Sequence, residues 1–228
     1  MRTALLTVIA AAALTVGIAA PAQAAPVTRD QYLASMSKAA ATLEKQMAGQ
    51  TLRHTSDIDF MLKATTTLTV NPDDSLIFEI DSLGTTARVV CVAADECWVR
   101  RDKKAVFNPL PAGAVKVTRV GGPGDQVDLD DLPPTATYEV DGKTFTIEAT
   151  ADGQTANARQ TFTNRTYRYS IDVTSEGLEG SMSGMTKVLP KPARISAPPA
   201  NRIGPVDNRF TVQINANTGA YSSRDGAS

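Results

Sequence analysis

The chain has few of the side chains that carry most enzyme chemistry. It contains one histidine, His54, and two cysteines, Cys91 and Cys97, among 228 residues. Any Ser-His-Asp or Cys-His mechanism would have to use His54, whose neighbourhood LRHTSDI is typical of the start of a strand. We interpret His54 as a structural or surface residue. The sequence predicts no catalytic residue, no cofactor and no metal site.

The sequence also lacks an excess of basic charge and, beyond its first 20 residues, any long apolar run. Lys and Arg number 23 against 24 Asp and Glu, a formal net charge of −1. This balance does not suggest a nucleic-acid partner, because such partners are bound mainly through clustered basic charge. No later stretch approaches the ~20 apolar residues that a membrane-spanning helix needs. We expect no nucleic-acid partner and no stable membrane span.

Residues 1–24 have the pattern of a secretory signal peptide. Arg2 precedes an apolar run over residues 4–20, and AQA at 22–24 has the small-x-small form that a signal peptidase accepts. The run is short and rich in alanine, which favours cleavage after Ala24 over a membrane anchor. No cysteine lies near the cleavage site, so a covalent lipid anchor is not expected. The expected location is secreted or in the cell envelope.

The export signal decides how the two cysteines are interpreted. In an exported chain, two cysteines separated by five residues most often form a disulfide. A metal site would need further ligands, and a Cys-x-x-Cys redox pair has a different spacing. The flanks TARVV and WVRR are typical of strands joined by VAADE. We predict a Cys91–Cys97 disulfide that holds a hairpin in register.

Hydrophobic periodicity predicts an α+β fold. TRDQ at 28–31 has the capping-box form, and apolar residues then recur at spacings of three and four, which predicts a helix over Arg29 to Ala48. After this helix the period changes to two, and turn signals separate many short strands. We predict one long N-terminal helix packed on a curved antiparallel sheet over residues 25–208, followed over 209–228 by an extra strand and a flexible tail.

One helix is too narrow to cover such a sheet. Nine to eleven strands at ~5 Å spacing are far wider than a helix of ~10 Å diameter. Either the sheet closes tightly on its own side chains, or it stays open as a half-barrel around an apolar cavity. For the second case the alternating positions predict the lining residues, which are Leu68, Phe78, Ile80, Phe145, Ile147, Tyr167, Tyr169 and Ile171.

Four short motifs have functional interpretations that the sequence does not favour. SMSK at 35–38 lacks the partner motifs of penicillin-interacting enzymes, and GSMSG at 180–184 lacks the strand-turn-helix context of a nucleophile elbow. DLDD at 128–131 is interpreted as a solvated acidic turn rather than a calcium loop. RRDKK at 100–104 is interpreted as a solvated turn rather than a phosphate site.

The C-terminal half carries a recognisable succession of segments. YRYSIDV at 167–173 and the strand LEGSMSGMTKV at 178–188 precede the Pro-rich stretch PARISAPPANRI at 192–203. This succession resembles the end of the LppX/LprG-type mycobacterial lipoproteins and, more distantly, the LolA lipoprotein-carrier fold. The resemblance implies a helix on an incomplete barrel whose apolar cavity holds acyl chains, and it implies no catalytic residue.

The resemblance also sets the functional expectations. Those lipoproteins carry a lipobox cysteine where this chain has alanine, so we expect release, or retention in the envelope without an anchor. The leading hypothesis is a secreted or envelope carrier that binds the acyl chains of a lipid or lipoglycan. The alternative is a sensor or regulator on the same LolA-like fold that binds an envelope protein and no lipid. An enzyme is the least favoured interpretation.

Overall fold

The computed structural model describes residues 26–60, 63–122, 136–151, 153–175 and 178–225. The expected signal peptide lies outside these ranges. So does the acidic motif at 128–131.

The described residues form one α-helix, fifteen β-strands and a 3₁₀ turn at Ala200–Arg202. The helix α1 is Arg29–Met47. The strands are β1 Pro26–Val27, β2 Thr51–Asp59, β3 Lys63–Val70, β4 Leu76–Ser82, β5 Thr85–Ala93, β6 Glu96–Arg100, β7 Asn108–Pro109, β8 Val115–Thr118, β9 Thr137–Asp141, β10 Thr144–Ala151, β11 Gln154–Thr163, β12 Thr166–Ser175, β13 Leu178–Leu189, β14 Phe210–Asn215 and β15 Tyr221–Asp225.

The helix begins where the capping box predicts. Thr28 Oγ1 accepts a hydrogen bond from the backbone N–H of Gln31 at 3.2 Å, and Gln31 Oε1 accepts one from the N–H of Thr28 at 3.0 Å. These bonds satisfy two N–H groups that a helix start leaves without intrahelical partners. The helix ends at Met47, one residue before the predicted end, and Gly49 follows with a φ of +64°. The predicted helix is confirmed.

Twelve strands form one antiparallel sheet in the order β1-β9-β10-β11-β12-β13-β2-β3-β4-β5-β6-β7. The edge strands β1 and β7 pair only with β9 and β6 among the described strands, so the sheet does not close into a barrel. The α+β arrangement of one helix and a large antiparallel sheet is thus as predicted. One face of the sheet, here called the inner face, carries the main hydrophobic core. The opposite face is called the outer face.

The Cys91–Cys97 disulfide joins β5 to β6, as predicted. The two residues lie directly opposite each other in the antiparallel register, and their Cα atoms are 4.1 Å apart. Because the bond crosses adjacent strands, it restrains which residues of β5 and β6 face each other.

The Pro-rich residues 190–209, here called the strap, run along the outer face. Asn71 holds the start of the strap, since its side chain both donates to the carbonyl and accepts from the N–H of Ala193, each at 2.9 Å. Further along, Ile195 packs against a small second core of Val90, Trp98 and Phe107. The strap then leads into β14, which lies on the inner face. It therefore carries the chain from one face of the large sheet to the other.

The C-terminal strands form a second, three-stranded sheet in the order β15-β14-β8. Phe210, Val212 and Ile214 of β14 are buried in the main core, and the ring of Tyr221 lies 4.8 Å from that of Phe78. The sequence predicts one strand and a flexible tail here. The structure instead has two strands up to Asp225. The difference arises because the apolar side of this hairpin is buried against the large sheet.

Candidate ligand-binding face

The inner face of β12, β13 and β2 to β5 can be described as four rows of residues that lie opposite each other in neighbouring strands. Row 1 is Val188, Leu52, Val70, Leu76 and Cys91, and row 2 is Tyr167, Thr186, His54, Leu68, Phe78 and Val89. Row 3 is Tyr169, Gly184, Ser56, Thr66, Ile80 and Ala87, and row 4 is Ile171, Met182, Ile58, Ala64 and Ser82.

Burial changes sharply along these strands. Every residue of rows 1 and 2 is at most 5% exposed, because the three-stranded sheet and neighbouring core residues cover them. Row 3, apart from Thr66, and all of row 4 are only half-buried. We call rows 3 and 4 the open half of the inner face. Their side chains are mostly apolar, so the open half leaves hydrophobic area partly exposed to solvent, where a ligand could cover it.

The eight predicted lining residues divide between the core and the open half. All eight lie on the inner face, since the register of β3 to β5 and of β10 to β13 places them there. Three are half-buried in the open half, namely Ile80, Tyr169 and Ile171. The other five are 1–2% exposed and belong to the packed core, namely Leu68, Phe78, Phe145, Ile147 and Tyr167.

Two different elements contribute to the burial of these residues. Helix α1 covers the β9–β11 side, where the Tyr32 ring lies 5.8 Å from that of Phe145. The three-stranded sheet covers Leu68 and Phe78. The predicted set omits Ile58, which shares the open half. The alternation of apolar residues around Ile58 could have identified it as an inner-face residue. Alternation does not show which part of a strand is covered by another element, so it could not select Ile58 over the buried residues.

One pocket opens onto this face, and a second lies at the end of the strands, mainly on the outer face. The first, of about 250 Å³, lies between rows 2 and 3 and the loop 218–220, and Tyr169 and Tyr221 are among its lining residues. The other, of about 740 Å³, includes Ile58 and Phe60. Most of its lining residues, such as Asp57, Thr65 and Ser183, belong to the outer face, so it is not part of the open half. Sites for drug-sized ligands usually have ~300–1,000 Å³. The larger pocket is within that range.

Neighbouring hairpins expose apolar side chains at the same end of the sheet. Phe60 after β2 is 51% exposed, Leu83 after β4 is 71% exposed, and Leu178 at the start of β13 is 65% exposed. The ring of Phe60 lies directly on the backbone of Gly180, where a Cβ atom would be 1.7 Å from it. These three residues, here called the hairpin tips, extend the apolar surface of the open half.

His54 is buried where the two sheets meet. Its Nε2 lies 2.8 Å from the carbonyl oxygen of Ala216, so this nitrogen carries the proton and donates. Nδ1 must then accept from the hydroxyl of Thr186, at 2.9 Å. Burial lowers the pKa of His54 to about 4, although the bond to Ala216 opposes the shift. The imidazole is therefore neutral at pH 7 and ties β2 to the turn after β14.

Comparisons of the chain with protein-family models, with curated proteins and with solved structures find no match. Within the described ranges, no helix is long and apolar enough to cross a membrane. The same residues contain no group of three or more His, Cys, Asp or Glu side chains arranged to hold a metal ion.

Proposed function

We propose that the protein binds the acyl chains of a lipid or lipoglycan along the open half of the inner face, and carries this ligand outside the cytoplasm. The observation that carries the proposal is the partly exposed, mostly apolar surface of rows 3 and 4. This surface spans six strands, roughly 24 Å at the usual strand spacing. In this proposal the fold is a LolA-like half-barrel, of which α1 and the three-stranded sheet occupy part.

The hydrophobic effect limits the kind of lipid that would bind. Burying about ten methylenes of one acyl chain gains roughly 8 kcal/mol, at ~0.8 kcal/mol for each methylene. Association costs at least ~4 kcal/mol, which leaves a Kd of roughly 1 mM for a single chain. A ligand that buries two such chains would gain about twice as much and meet the same cost once. The proposal therefore favours a two-chain amphiphile.

The Cys91–Cys97 disulfide supports an extracytoplasmic location. Disulfides persist in oxidising compartments and are rare in the cytosol. Together with the signal-like residues 1–24, the disulfide supports a secreted or envelope protein.

Native mass spectrometry of protein purified without detergent would test lipid binding directly. We expect an adduct with the mass of a two-chain amphiphile. Met182→Glu places a charge in row 4 and should abolish the adduct, because an acyl chain cannot solvate a carboxylate. Ser183→Glu is the matched control, since Ser183 is the next residue along β13, is exposed and lies on the outer face. This control should retain the adduct.

Two results would contradict the proposal. One is an apo mass for the wild type that stays unchanged after incubation with a two-chain phospholipid. The other is an equal loss of the adduct in Met182→Glu and Ser183→Glu, with both variants folded. Urea denaturation of each variant shows whether it is folded.

A second candidate function is the docking of an envelope protein at the hairpin tips. The observation that favours it is the exposure of Phe60, Leu83 and Leu178 on neighbouring hairpins. Exposed apolar clusters commonly mark protein interaction sites. A photo-crosslinking residue at Leu83 should then capture a defined partner in cells. The same residue at Val206, which is 57% exposed in the strap, should not.

A further inference from the structure

A separate pocket lies on the outer face of the large sheet, and its ten lining residues include three basic and two acidic side chains. It has a volume of about 230 Å³. Thr65 and Thr67 of β3 contribute two hydroxyls, Arg88 comes from β5 and Arg100 from β6. Lys103, from the turn after β6, also lines the pocket. Three cations, the carboxylates of Glu79 and Asp81, and several hydroxyls therefore line one concave site.

The positions of the two arginines are electrostatically unfavourable unless an anion lies next to them. Arg88 and Arg100 are direct cross-strand partners in the antiparallel register of β5 and β6. Like charges that lie directly opposite each other destabilise a sheet. Glu79 on β4 relieves part of this repulsion, since its Oε1 lies 2.9 Å from Arg88 Nη1. Glu79 thus forms an ion pair with only one of the two guanidinium groups.

Arg100 has no carboxylate partner among the described residues. The other carboxylate of the pocket, Asp81, lies 3.4 Å from Lys103 and is engaged by that side chain. The guanidinium of Arg100 is held over the ring of Phe107, 5.0 Å from its centroid. This contact orients the group but leaves its charge without a counter-ion.

The guanidinium pair is also short of hydrogen-bond acceptors. Arg88 Nε and Arg100 Nε are both buried, and neither has a partner in the described part of the chain. Buried donors are normally satisfied, so two unsatisfied ones side by side need an explanation. An anion in the pocket would bring acceptor oxygens and negative charge to the same place.

We propose that this pocket binds an oxyanion of the phosphate type. A phosphate group has several acceptor oxygens and suits the planar fork of an arginine, and the neighbouring hydroxyls can donate to the remaining oxygens. The group could come from a lipid headgroup or from a small soluble phosphate. The pocket lies on the face opposite the open half, so this proposal does not depend on acyl binding.

Isothermal titration calorimetry of the full chain with sodium phosphate, in a chloride buffer at pH 7, tests the site. We expect saturable binding with 1:1 stoichiometry below about 10 mM, the range of a weak but specific site. A second titration uses dihexanoyl phosphatidic acid below its micellar concentration. Binding of this lipid at least tenfold tighter than that of phosphate would identify a headgroup as the source. Equal affinities would identify a soluble phosphate.

Variants separate this pocket from general attraction of anions. Lys103→Gln and Arg100→Gln should each weaken phosphate binding roughly tenfold, because each removes a charged donor. Arg53→Gln is the control, since Arg53 is an exposed arginine of the outer face on β2 that does not line the pocket, and its loss should change affinity less than about twofold.

Arg100→Gln also removes the contact with Phe107 and could reduce stability. Lys103 is 74% exposed, so Lys103→Gln tests the site with little effect on the fold. The absence of saturable phosphate binding below about 10 mM would overturn the proposal. Equal weakening by Lys103→Gln and Arg53→Gln would also overturn it.

Discussion

Acidification from pH 7 to pH 5 should destabilise the folded protein by about 2 kcal/mol through His54 alone. The pKa of His54 is about 4 in the folded protein and 6.5 in an unfolded chain. Between these values the unfolded chain binds a proton that the folded protein does not. The stabilising contribution is therefore complete above pH 6.5 and is lost progressively as the pH falls. Below pH 4 the loss amounts to about 3 kcal/mol in total.

The surroundings of His54 explain why this proton is excluded. Both ring nitrogens already have partners, Ala216 at Nε2 and Thr186 at Nδ1, and the ring is buried. Tyr169 and Tyr221 line the adjacent pocket, and burial raises the pKa of each, so both stay neutral throughout the acid range. An imidazolium there would lose its hydration and gain no carboxylate partner from these neighbours.

Urea denaturation at pH 7, 6 and 5 and constant ionic strength measures this effect when wild type is compared with His54→Gln. The variant should be less stable at pH 7 by about 1–2 kcal/mol, because the amide cannot reproduce both hydrogen bonds. Between pH 7 and pH 5 the free energy of unfolding of the variant should fall by about 2 kcal/mol less than that of the wild type. Hydrogen bonds from Ser75 lower the pKa of Asp73, but this carboxylate acts equally in both proteins. If the free energies of unfolding of wild type and His54→Gln change with pH by the same amount, the reasoning is refuted.

Three further substitutions have expected effects on the urea-denaturation free energy. Replacing Cys91 and Cys97 together by alanine should cost about 2 kcal/mol without unfolding the protein, because the closed loop is short; complete unfolding would contradict this. Gly219→Ala should cost more than Gly84→Ala, since both have a φ of +78° but only the Cβ at 219 meets the buried imidazole, at 2.8 Å; equal losses would contradict the steric argument. Thr28→Ala should cost about 1 kcal/mol through the lost helix cap, and no loss would contradict that role.

Local elements of this fold could be predicted because their causes lie close together in the sequence. The capping box at Thr28 and Gln31 and the apolar spacing that follows involve residues within one or two helical turns. The disulfide could be predicted because its cysteines are only six positions apart and the N-terminal pattern indicates export. Alternation likewise indicates which residues of a strand share a face.

The division of the inner face into core and open half could not be predicted in the same way. Phe78 and Ile80 lie two residues apart on the same face of β4, yet the first is buried beside Tyr221 and the second is partly exposed. Their periodicity is identical. The difference depends on where a hairpin about 140 residues later in the chain packs on the large sheet. Local sequence patterns do not predict that position.

The outer pocket shows the same limit. The run at 100–104 suggests a solvated turn when it is considered alone. The opposition of Arg88 and Arg100 follows from the register of β5 and β6, which the disulfide and the intervening turn set together. Charge repulsion and unsatisfied donors become evident only once two separate segments are side by side.

The sequence by itself determined the single helix, the change to period-two strands, the disulfide and the identity of the inner-face residues, because each depends on neighbours within a few positions. The tertiary structure decided which of those residues are covered. The strap, held by Asn71 and packed on the outer face through Ile195, returns the C-terminal strands to the inner face. There they help to bury rows 1 and 2 and leave most of rows 3 and 4 partly exposed. The burial of an inner-face residue depends on contacts with residues far away in the chain, and only the tertiary structure determines these contacts.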